Sequence, residues 1–219
     1  MCSHTVAYQI IPLCYMLPLG LSIGLSVRMG EVISNDVVKA KMLAALVMLY
    51  SIFFATIVCT ILYHYQTFVV GVFTSDIEIV AGCNRIWSKV CIDVFFLYIY
   101  GINSGILRAL GLQWYLATAN IFILGCLTLP ILVHVCFRTA EMHSQELADD
   151  SFYQLNLMWS IIPCSYFVLN IILFLCYITA DWNAISNRIR AKEKQNSVIS
   201  SNNIVKERGV DECTNLIAT

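Results

Sequence analysis

Long apolar runs alternate with short polar connections along this chain. Five runs contain almost no charge and cover residues 6–27, 42–63, 90–107, 114–137 and 155–180. An α-helix rises about 1.5 Å per residue, so each run can cross most or all of a hydrocarbon core about 30 Å thick. The pattern predicts an all-α membrane protein, with about five transmembrane helices in residues 1–182 and a polar tail in residues 183–219.

The polar connections mark the predicted ends of the helices. The first run stops at Arg28, and residues 28–41 are predicted to form a short charged link between two membrane helices. Asp76 and Glu78 are predicted to open a new turn, and Ser75 is its candidate N-cap because its side-chain oxygen can accept from a free backbone N–H. The helix of the third run is predicted to start in the eighties. Gly111 is predicted to end that helix. Residues 183–219 are predicted to form a surface helix that fades into a disordered tail.

Two glycine pairs predict where helices approach one another closely. Gly20 and Gly24 are four residues apart on the first predicted helix, and Gly101 and Gly105 are four residues apart on the third. Small residues at this spacing form a flat stripe that allows another helix backbone to come near. Both pairs are therefore predicted to be close-contact faces.

Composition narrows the possible functions. Hydrophobic residues make up 59% of the chain and charged residues 12%, about half the charged share of a soluble domain. The net charge of -1 argues against a nucleic-acid partner. The ten cysteines are scattered, without a CxxC pair or a Cys/His cluster, and most fall in apolar runs. No catalytic motif, metal site or cofactor is expected, so the sequence does not indicate an enzyme.

The distribution of lysine and arginine predicts the orientation in the membrane. With five spans, one side receives Arg28, Lys39, Lys41, Arg108 and the basic residues of the tail. The other side receives only Arg85, Lys89 and Arg138. Basic loops remain in the cytoplasm, so residues 183–219 are predicted to be cytoplasmic in a multi-pass protein of the plasma membrane or an organelle membrane.

Three stretches of the chain match short sequence patterns that occur in a fixed order. Residues 16–30 are similar to a "P-x-G … S-x-R-V-G-N" pattern, residues 71–76 to "G-x-x-F-T-x-D", and residues 103–113 to "G-V-L-R-G-x-G-x-Q". The pattern positions present here are Pro18, Gly20, Arg28, Gly30, Arg108, Gly111 and Gln113. In this order the stretches resemble the multidrug and toxic compound extrusion (MATE) family, which also has an asparagine at the place of Asn120.

The resemblance implies a secondary transporter. MATE proteins have two six-helix lobes and export organic cations or xenobiotics in exchange for H⁺ or Na⁺. The matched region corresponds to helices eight to twelve, most of the C-terminal lobe of a twelve-helix fold, so the chain is expected to be a partial transporter. Its expected partners are the lipid bilayer, the substrate, the coupling ion and a first-lobe or full-length transporter chain. The alternative is a truncated, non-transporting protein that docks on a full-length relative or is inert.

The sequence departs from the family at two positions that bear on coupling. Family members use carboxylates in the C-terminal lobe to bind the proton or the organic cation. The aligned positions here are Gln9 and Leu97, and neither is acidic. Glu31 and Ala109 are further departures, and these concern only loop geometry. The resemblance therefore leaves the proton carrier of this chain unassigned.

Asp93 is the candidate that would compensate. It is the only charged residue in the five apolar runs, and it lies four residues before Leu97 on the same helical face. A carboxylate inside a membrane indicates a function by default. The alternative is that Lys89, one turn earlier, pairs with it at a wet interface.

Other polar and aromatic residues near this helix are candidates for binding an organic cation. Tyr100 offers a ring face, although an interfacial or packing role would explain it equally well. Gln9, Asn103 and Asn120 would either line a cavity or bridge helices.

Overall fold

The structure is a computed structural model that describes residues 2–142, 147–192 and 194–195, with side chains over 4–135, 155–192 and 194–195. None of the described residues lies in a β-strand. The helices are α1 (Cys2–Asn35), α2 (Val37–His64), α3 (Gln66–Phe73), α4 (Ile77–Ala109), α5 (Gln113–Asn120), a π-helical stretch (Ile121–Thr128), α6 (Leu129–Met142), α7 (Leu147–Thr179) and α8 (182–192).

Five of these segments are long and apolar enough to cross a membrane. They are His4–Asn35, Val37–His64, Ile77–Ala109, Gln113–Val135 and Leu155–Thr179. The fourth span is built from α5, the π-helical stretch and the first part of α6, which follow one another without a break. The predicted fold class, an all-helical membrane protein with about five spans, is confirmed.

Helix α4 is the centre of the bundle. In the most apolar window of α4, 72% of the residues are buried, against 28% or less in the other four spans. Helices α1, α2 and α7 all pack against it. Residues 101–107 are buried without interruption, so this part of α4 is surrounded on every side. The side chains of residues 101–107 are therefore held by several helices at once.

The predicted charged link after the first span is wrong. Helix α1 continues through Arg28 to Asn35, and α2 begins at Val37, so the break is the single residue Asp36. The helix persists because Met29 and Ile33, one turn apart, are fully buried and extend the apolar stripe. Asp36 caps α2, since its carboxylate accepts from the backbone N–H groups of Val38 and Lys39 at 2.9 and 3.2 Å.

The predicted start of the third membrane helix is also wrong. Asp76 rather than Ser75 is the N-cap of α4, accepting from the backbone N–H of Glu78 at 2.9 Å. The helix begins well before its apolar run because Cys83 and Trp87 already pack against Val70 of α3. The apolar residues before Asp76 therefore form a short helix that supports the entry of α4.

Helix α8, at the start of the predicted surface tail, caps the end of α1. Ser186 donates to the carbonyl of Ile33 at 2.7 Å, and Arg190 donates to the carbonyls of Ser34 and Asn35. These carbonyls have no partner inside α1 because they belong to its last turn. The tail is therefore anchored at its beginning, and the segment predicted to be disordered lies outside the described residues from 196 onward.

Candidate cation and proton site

The contact between α1 and α4 fixes the frame of the site. A Cβ atom added at Gly101 would lie 3.0 Å from the Cβ of Pro18, and one added at Gly105 would lie 2.8 Å from the carbonyl oxygen of Ser22. The two helices thus touch backbone to backbone at both glycines. The predicted close contact is confirmed for Gly101 and Gly105.

The same prediction is wrong for the glycines of α1. A Cβ at Gly20 or Gly24 would meet nothing within 4 Å among the described residues, and both glycines are exposed. The residues of α1 that meet α4 are Pro18 and Ser22, both buried. A glycine spacing places small residues on one face of a helix, but this face is turned away from α4.

Arg108 connects α4 to α1 about one turn beyond the contact at Gly105. Its guanidinium donates to the hydroxyl of Ser22 at 2.5 Å, and to the hydroxyl and the carbonyl of Ser104 at 3.2 Å each. Gly111 then ends the helix in the left-handed region, at φ 72°. The backbone N–H of Leu112 donates to the carbonyl of Leu107, which completes a Schellman cap.

Asp93 lies inside the bundle, and no counter-charge pairs with it among the described residues. It is 2% exposed, and its Oδ1 atom has no hydrogen-bond partner in the described part of the chain. Lys89, the alternative partner, is directed to α7, where its ammonium donates to Asn156 at 2.7 and 2.5 Å and to Ser160 at 2.6 Å. The predicted Lys89–Asp93 pair does not form, because α7 offers Lys89 three oxygens.

Tyr166 of α7 connects Asp93 to two further tyrosines, Tyr15 of α1 and Tyr100 of α4. Tyr166 of α7 is close enough to Asp93, Tyr100 and Tyr15 to interact with each electrostatically. The rings of Tyr100 and Tyr166 meet edge to face, with centroids 5.7 Å apart. All three tyrosines are only partly buried, so each leaves part of its ring open. We refer to Asp93, Tyr15, Tyr100 and Tyr166, together with Asn120, as the Asp93 cluster.

Asn120 and Asn103 hold the cluster in place by different contacts. Asn120 accepts from the hydroxyl of Tyr100 at 3.1 Å and so fixes that ring from α5. Asn103 donates to Asn170 at 2.8 Å, and Asn170 donates to the carbonyls of Phe96 and Tyr166 at 2.9 Å each. Asn103 thus bridges α4 to α7, which is the second of its two predicted alternatives.

The remaining predicted residues lie outside these contacts. Gln9 and Gln113 are exposed, and Gly30 lies in open space within α1. Arg28 is exposed and pairs with Glu31 at 2.9 Å on its own helix. Leu97, at the position of a family carboxylate, is 6% exposed and lies one turn beyond Asp93. Among the motif residues, Pro18, Arg108 and Gly111 therefore have clear structural roles within this chain.

Sequence reasoning missed two members of the site, Tyr15 and Tyr166, as well as Asn170. Tyr15 is surrounded in sequence by the apolar residues Cys14, Met16 and Leu17. Tyr166 lies four residues before Asn170 on α7. The available signal was weak but present, since Asn170 is an amide near the centre of an otherwise apolar run. Which tyrosines converge depends on the rotation of α1 and α7 about α4, and the sequence does not specify that rotation.

Comparison with known proteins identifies the class. The model of the MatE family matches residues 1–133, more than half of the chain, so the chain belongs to the MatE family. It is 29% identical to rabbit (Oryctolagus cuniculus) multidrug and toxin extrusion protein 1 over 136 residues, which cover 62% of this chain and 24% of that protein. It is 26% identical to Arabidopsis thaliana protein DETOXIFICATION 41 over 123 residues, 56% of this chain and 24% of that protein.

A solved structure shares the fold. The crystal structure of the eukaryotic MATE transporter AtDTX14 matches with a TM-score of 0.76 at 18% identity, over 87% of this chain and 40% of that one. The chain spans about a quarter of the length of the curated relatives that it matches. These findings place the chain in a family of membrane transporters.

Proposed function

We propose that this chain forms part of a MATE-type secondary transporter that exchanges organic cations or other xenobiotics for H⁺ or Na⁺. In such a transporter the five spans would correspond to helices eight to twelve of a twelve-helix fold, which is most of the C-terminal lobe. The order of the motif residues supports this assignment. The fold shared with 40% of AtDTX14 supports it as well.

The observation that carries the proposal is the unpartnered carboxyl oxygen of Asp93. A carboxylate inside a membrane bundle is costly unless a proton or a cation neutralises it. Among the described residues, Asp93 has neither a lysine partner nor a hydrogen bond to Oδ1, which would leave it open to either ligand. A proton and an organic cation that compete for one carboxyl group cannot bind it at the same time. Antiport requires such mutually exclusive binding.

The other members of the cluster receive roles from their positions. The open faces of Tyr15, Tyr100 and Tyr166 would hold an organic cation beside Asp93 by cation–π contact. Asn120 would orient Tyr100 through its hydrogen bond. Asn103 would act indirectly, because Asn170 connects it to the backbone of Tyr166. Gln9, exposed on α1, would contact substrate only at the edge of the site.

Asp93→Asn tests the coupling role in a transporter that combines this chain with a first lobe and a seventh helix. We expect pH-dependent exchange of a fluorescent organic cation to be lost in proteoliposomes, because the amide neither binds nor releases a proton. Leu97→Glu in the Asp93→Asn background should restore part of it, since the acid returns one turn away on the same face. Exchange by Asp93→Asn at the wild-type rate at every pH would refute the role of Asp93.

A spectroscopic test needs only the 219-residue chain. In lipid nanodiscs, a carboxyl group that binds either a proton or a cation should give an infrared carbonyl band that changes with pH. Adding a tetraalkylammonium ion should remove this band, and Asp93→Asn should abolish it. Glu31→Gln is the control, because Glu31 is exposed and already paired with Arg28. A band unaffected by Asp93→Asn would contradict the proposal.

The second candidate is a non-transporting membrane protein that docks on a full-length relative or is inert. The observation in its favour is the length of the match, about a quarter of each curated relative. Alternating access by rocking requires two lobes around a central site, so we expect the 219-residue chain by itself to export nothing. Gradient-driven flux by this chain alone would show that it assembles into a working pair.

The orientation is part of the same proposal. Basic residues at the ends of α1, α2 and α4 and in the tail support a cytoplasmic position for residues 183–219. The membrane would be the plasma membrane or an organelle membrane. An epitope tag at the C-terminus of the chain should be labelled only after cells are permeabilised, and a tag between residues 138 and 153 should be labelled on intact cells. The reverse pattern would overturn the assignment.

A further inference from the structure

A groove of about 480 Å³ runs along the surface of the bundle between α2 and α7. Both helices pack against α4 rather than against each other, so a gap remains between them. Ala44 and Ala45 widen the gap because they present only methyl groups. The floor is formed by Ala44, Tyr177 and Trp182, all less than 10% exposed. The volume lies within the range of about 300–1,000 Å³ typical of sites for small ligands.

The walls of the groove are apolar and open to the surroundings. Leu49 is 69% exposed, Ile178 is 54% exposed and Ile52 is 39% exposed. In a membrane these side chains face hydrocarbon rather than water. An occupant of the groove is therefore itself apolar over most of its length.

One end of the groove carries Lys41, the only charged residue that lines the groove in the described part of the chain. The ammonium of Lys41 lies 5.7 Å from the centroid of the Trp182 ring, which holds it over the mouth of the groove. Tryptophan and lysine at the end of a span are typical of the level of the lipid headgroups. The positive-inside pattern places this end at the leaflet that carries anionic lipid.

The length of the groove matches one leaflet. Lys41 and Ile52 lie on the same helix, about 17 Å apart along its axis at about 1.5 Å per residue. Half of a hydrocarbon core of about 30 Å is about 15 Å. A single acyl chain that starts at the headgroup level would therefore end near Ile52.

We propose that this groove binds one anionic phospholipid, with its phosphate at Lys41 and an acyl chain along the apolar walls. A cation at one end and hydrocarbon walls over a leaflet's length fit this molecule in charge and in extent. A transmembrane helix laid in the groove would bury the Lys41 ammonium without an anion. A zwitterionic phospholipid carries its own positive charge and gains less from Lys41.

Fluorescence quenching tests the proposal directly because Trp182 forms part of the floor. The 219-residue chain is placed in phosphatidylcholine nanodiscs that contain a small fraction of phosphatidylglycerol or phosphatidylcholine with brominated acyl chains. The emission of Trp182 is obtained as the difference between the wild type and Trp182→Phe. We expect brominated phosphatidylglycerol to quench it several-fold more than brominated phosphatidylcholine at the same fraction.

Two matched lysines separate the site from diffuse surface charge. Lys41→Glu, and the milder Lys41→Gln, should reduce quenching by phosphatidylglycerol to the phosphatidylcholine level. Lys39→Glu should leave it unchanged, because Lys39 lies outside the groove and pairs with Asp36 at 3.4 Å. Ala45→Phe should lower quenching by both lipids, since the ring fills the space of the acyl chain.

Three results would overturn the proposal. Equal quenching by the two lipids in the wild type would show ordinary annular lipid. Equal loss with the Lys39 and Lys41 variants would show a nonspecific charge effect. The absence of quenching by either lipid would show that something other than lipid covers the groove.

Discussion

The two faces of α1 carry small residues at the same four-residue spacing and differ completely in what they contact. Pro18 and Ser22 are buried against α4, where they meet Gly101 and Gly105 at backbone distance. Gly20 and Gly24, two residues further along in each case, meet nothing within 4 Å among the described residues. Both faces would satisfy a rule based on spacing alone.

The difference lies in the partner rather than in α1. Ser22 uses its small size to approach Gly105 and its hydroxyl to accept from Arg108 at 2.5 Å. Shape and hydrogen bonding thus act together on the packed face, as expected where lipid removes the hydrophobic drive for helix association. A glycine face without a polar group offers only shape, and it binds only where an equally flat helix is present.

Overpacking of the α1–α4 contact should have the largest effect. In Gly105→Leu the Cβ alone would lie 2.8 Å from backbone and side-chain atoms of Ser22, so the helices must separate. We expect a loss of unfolding free energy at or above the upper end of the about 1–3 kcal/mol typical of overpacking. Gly24→Leu is the matched control, and it should unfold like the wild type in a denaturing-detergent titration.

A similar loss in both glycine variants would show that the open face of α1 is also packed. Unchanged stability of Gly105→Leu would show that α1 and α4 lie further apart than the 2.8 Å between Ser22 and a Cβ at Gly105 implies. Either result would remove the contrast between the two faces.

The arginine of the packed face should matter next. Arg108→Met removes the donors to Ser22 and Ser104 and leaves the oxygen atoms of both serines in a buried contact without these bonds. We expect a lower unfolding free energy, because each hydrogen bond from a charged group is worth about 1.5–3 kcal/mol. Arg28→Met on the open face breaks only an exposed pair with Glu31, which is worth about 0–1 kcal/mol. Thermal unfolding in detergent should separate the two variants clearly, and equal melting would refute a bonding role for Arg108.

The end of α4 gives a smaller and purely conformational effect. Gly111 has φ 72° and open space around it, so Gly111→Ala should cost about 1–2 kcal/mol through backbone strain alone. Gly30→Ala, in a right-handed helix with equally open space, should be neutral or gain up to about 1 kcal/mol. In one unfolding assay we expect Gly111→Ala to lower the unfolding free energy and Gly30→Ala to leave it unchanged or raise it. A loss of unfolding free energy in both variants would contradict the cap assigned to Gly111.

The fold was predictable from the sequence because membrane spans are set by run length and charge. All five apolar runs lie in helices apart from Ala180, and the near absence of charge in those runs sufficed to place them. The ends were not predictable from charge alone. Arg28 and Glu31 face outward on α1 while Met29 and Ile33 of the same segment are buried, so the helix passes through a region that looks like a loop.

The site was predictable only in part. Asp93 stood out because a charge inside an apolar run is rare, and the motif pattern marked Arg108 and Gly111. Tyr15, Tyr166 and Asn170 did not stand out, since aromatic and amide side chains are common in membrane helices. The grouping of Tyr15 with Tyr166, and of Tyr166 with Asp93, depends on how α1 and α7 are rotated about α4. A one-residue rotation would turn each side chain by about 100°.

The junction of α1 and α2 should show the smallest effect, and only through pH. Hydrogen bonds from the backbone N–H of Lys39, then from the Lys39 ammonium and the N–H of Val38, hold the pKa of Asp36 below its ordinary value of 3.8. A lowered folded-state pKa stabilises the protein above the unfolded value, and this contribution is lost as pH falls through the folded value. Asp36→Asn keeps a good N-cap without the charge. The wild type should therefore melt at a higher temperature than Asp36→Asn from pH 7 down to about pH 5. The difference should shrink as pH falls below the ordinary pKa and vanish below the lowered folded-state pKa. A difference that persists in acid would mean that the carboxylate is not stabilised by its N–H partners, and that the break between α1 and α2 has another cause.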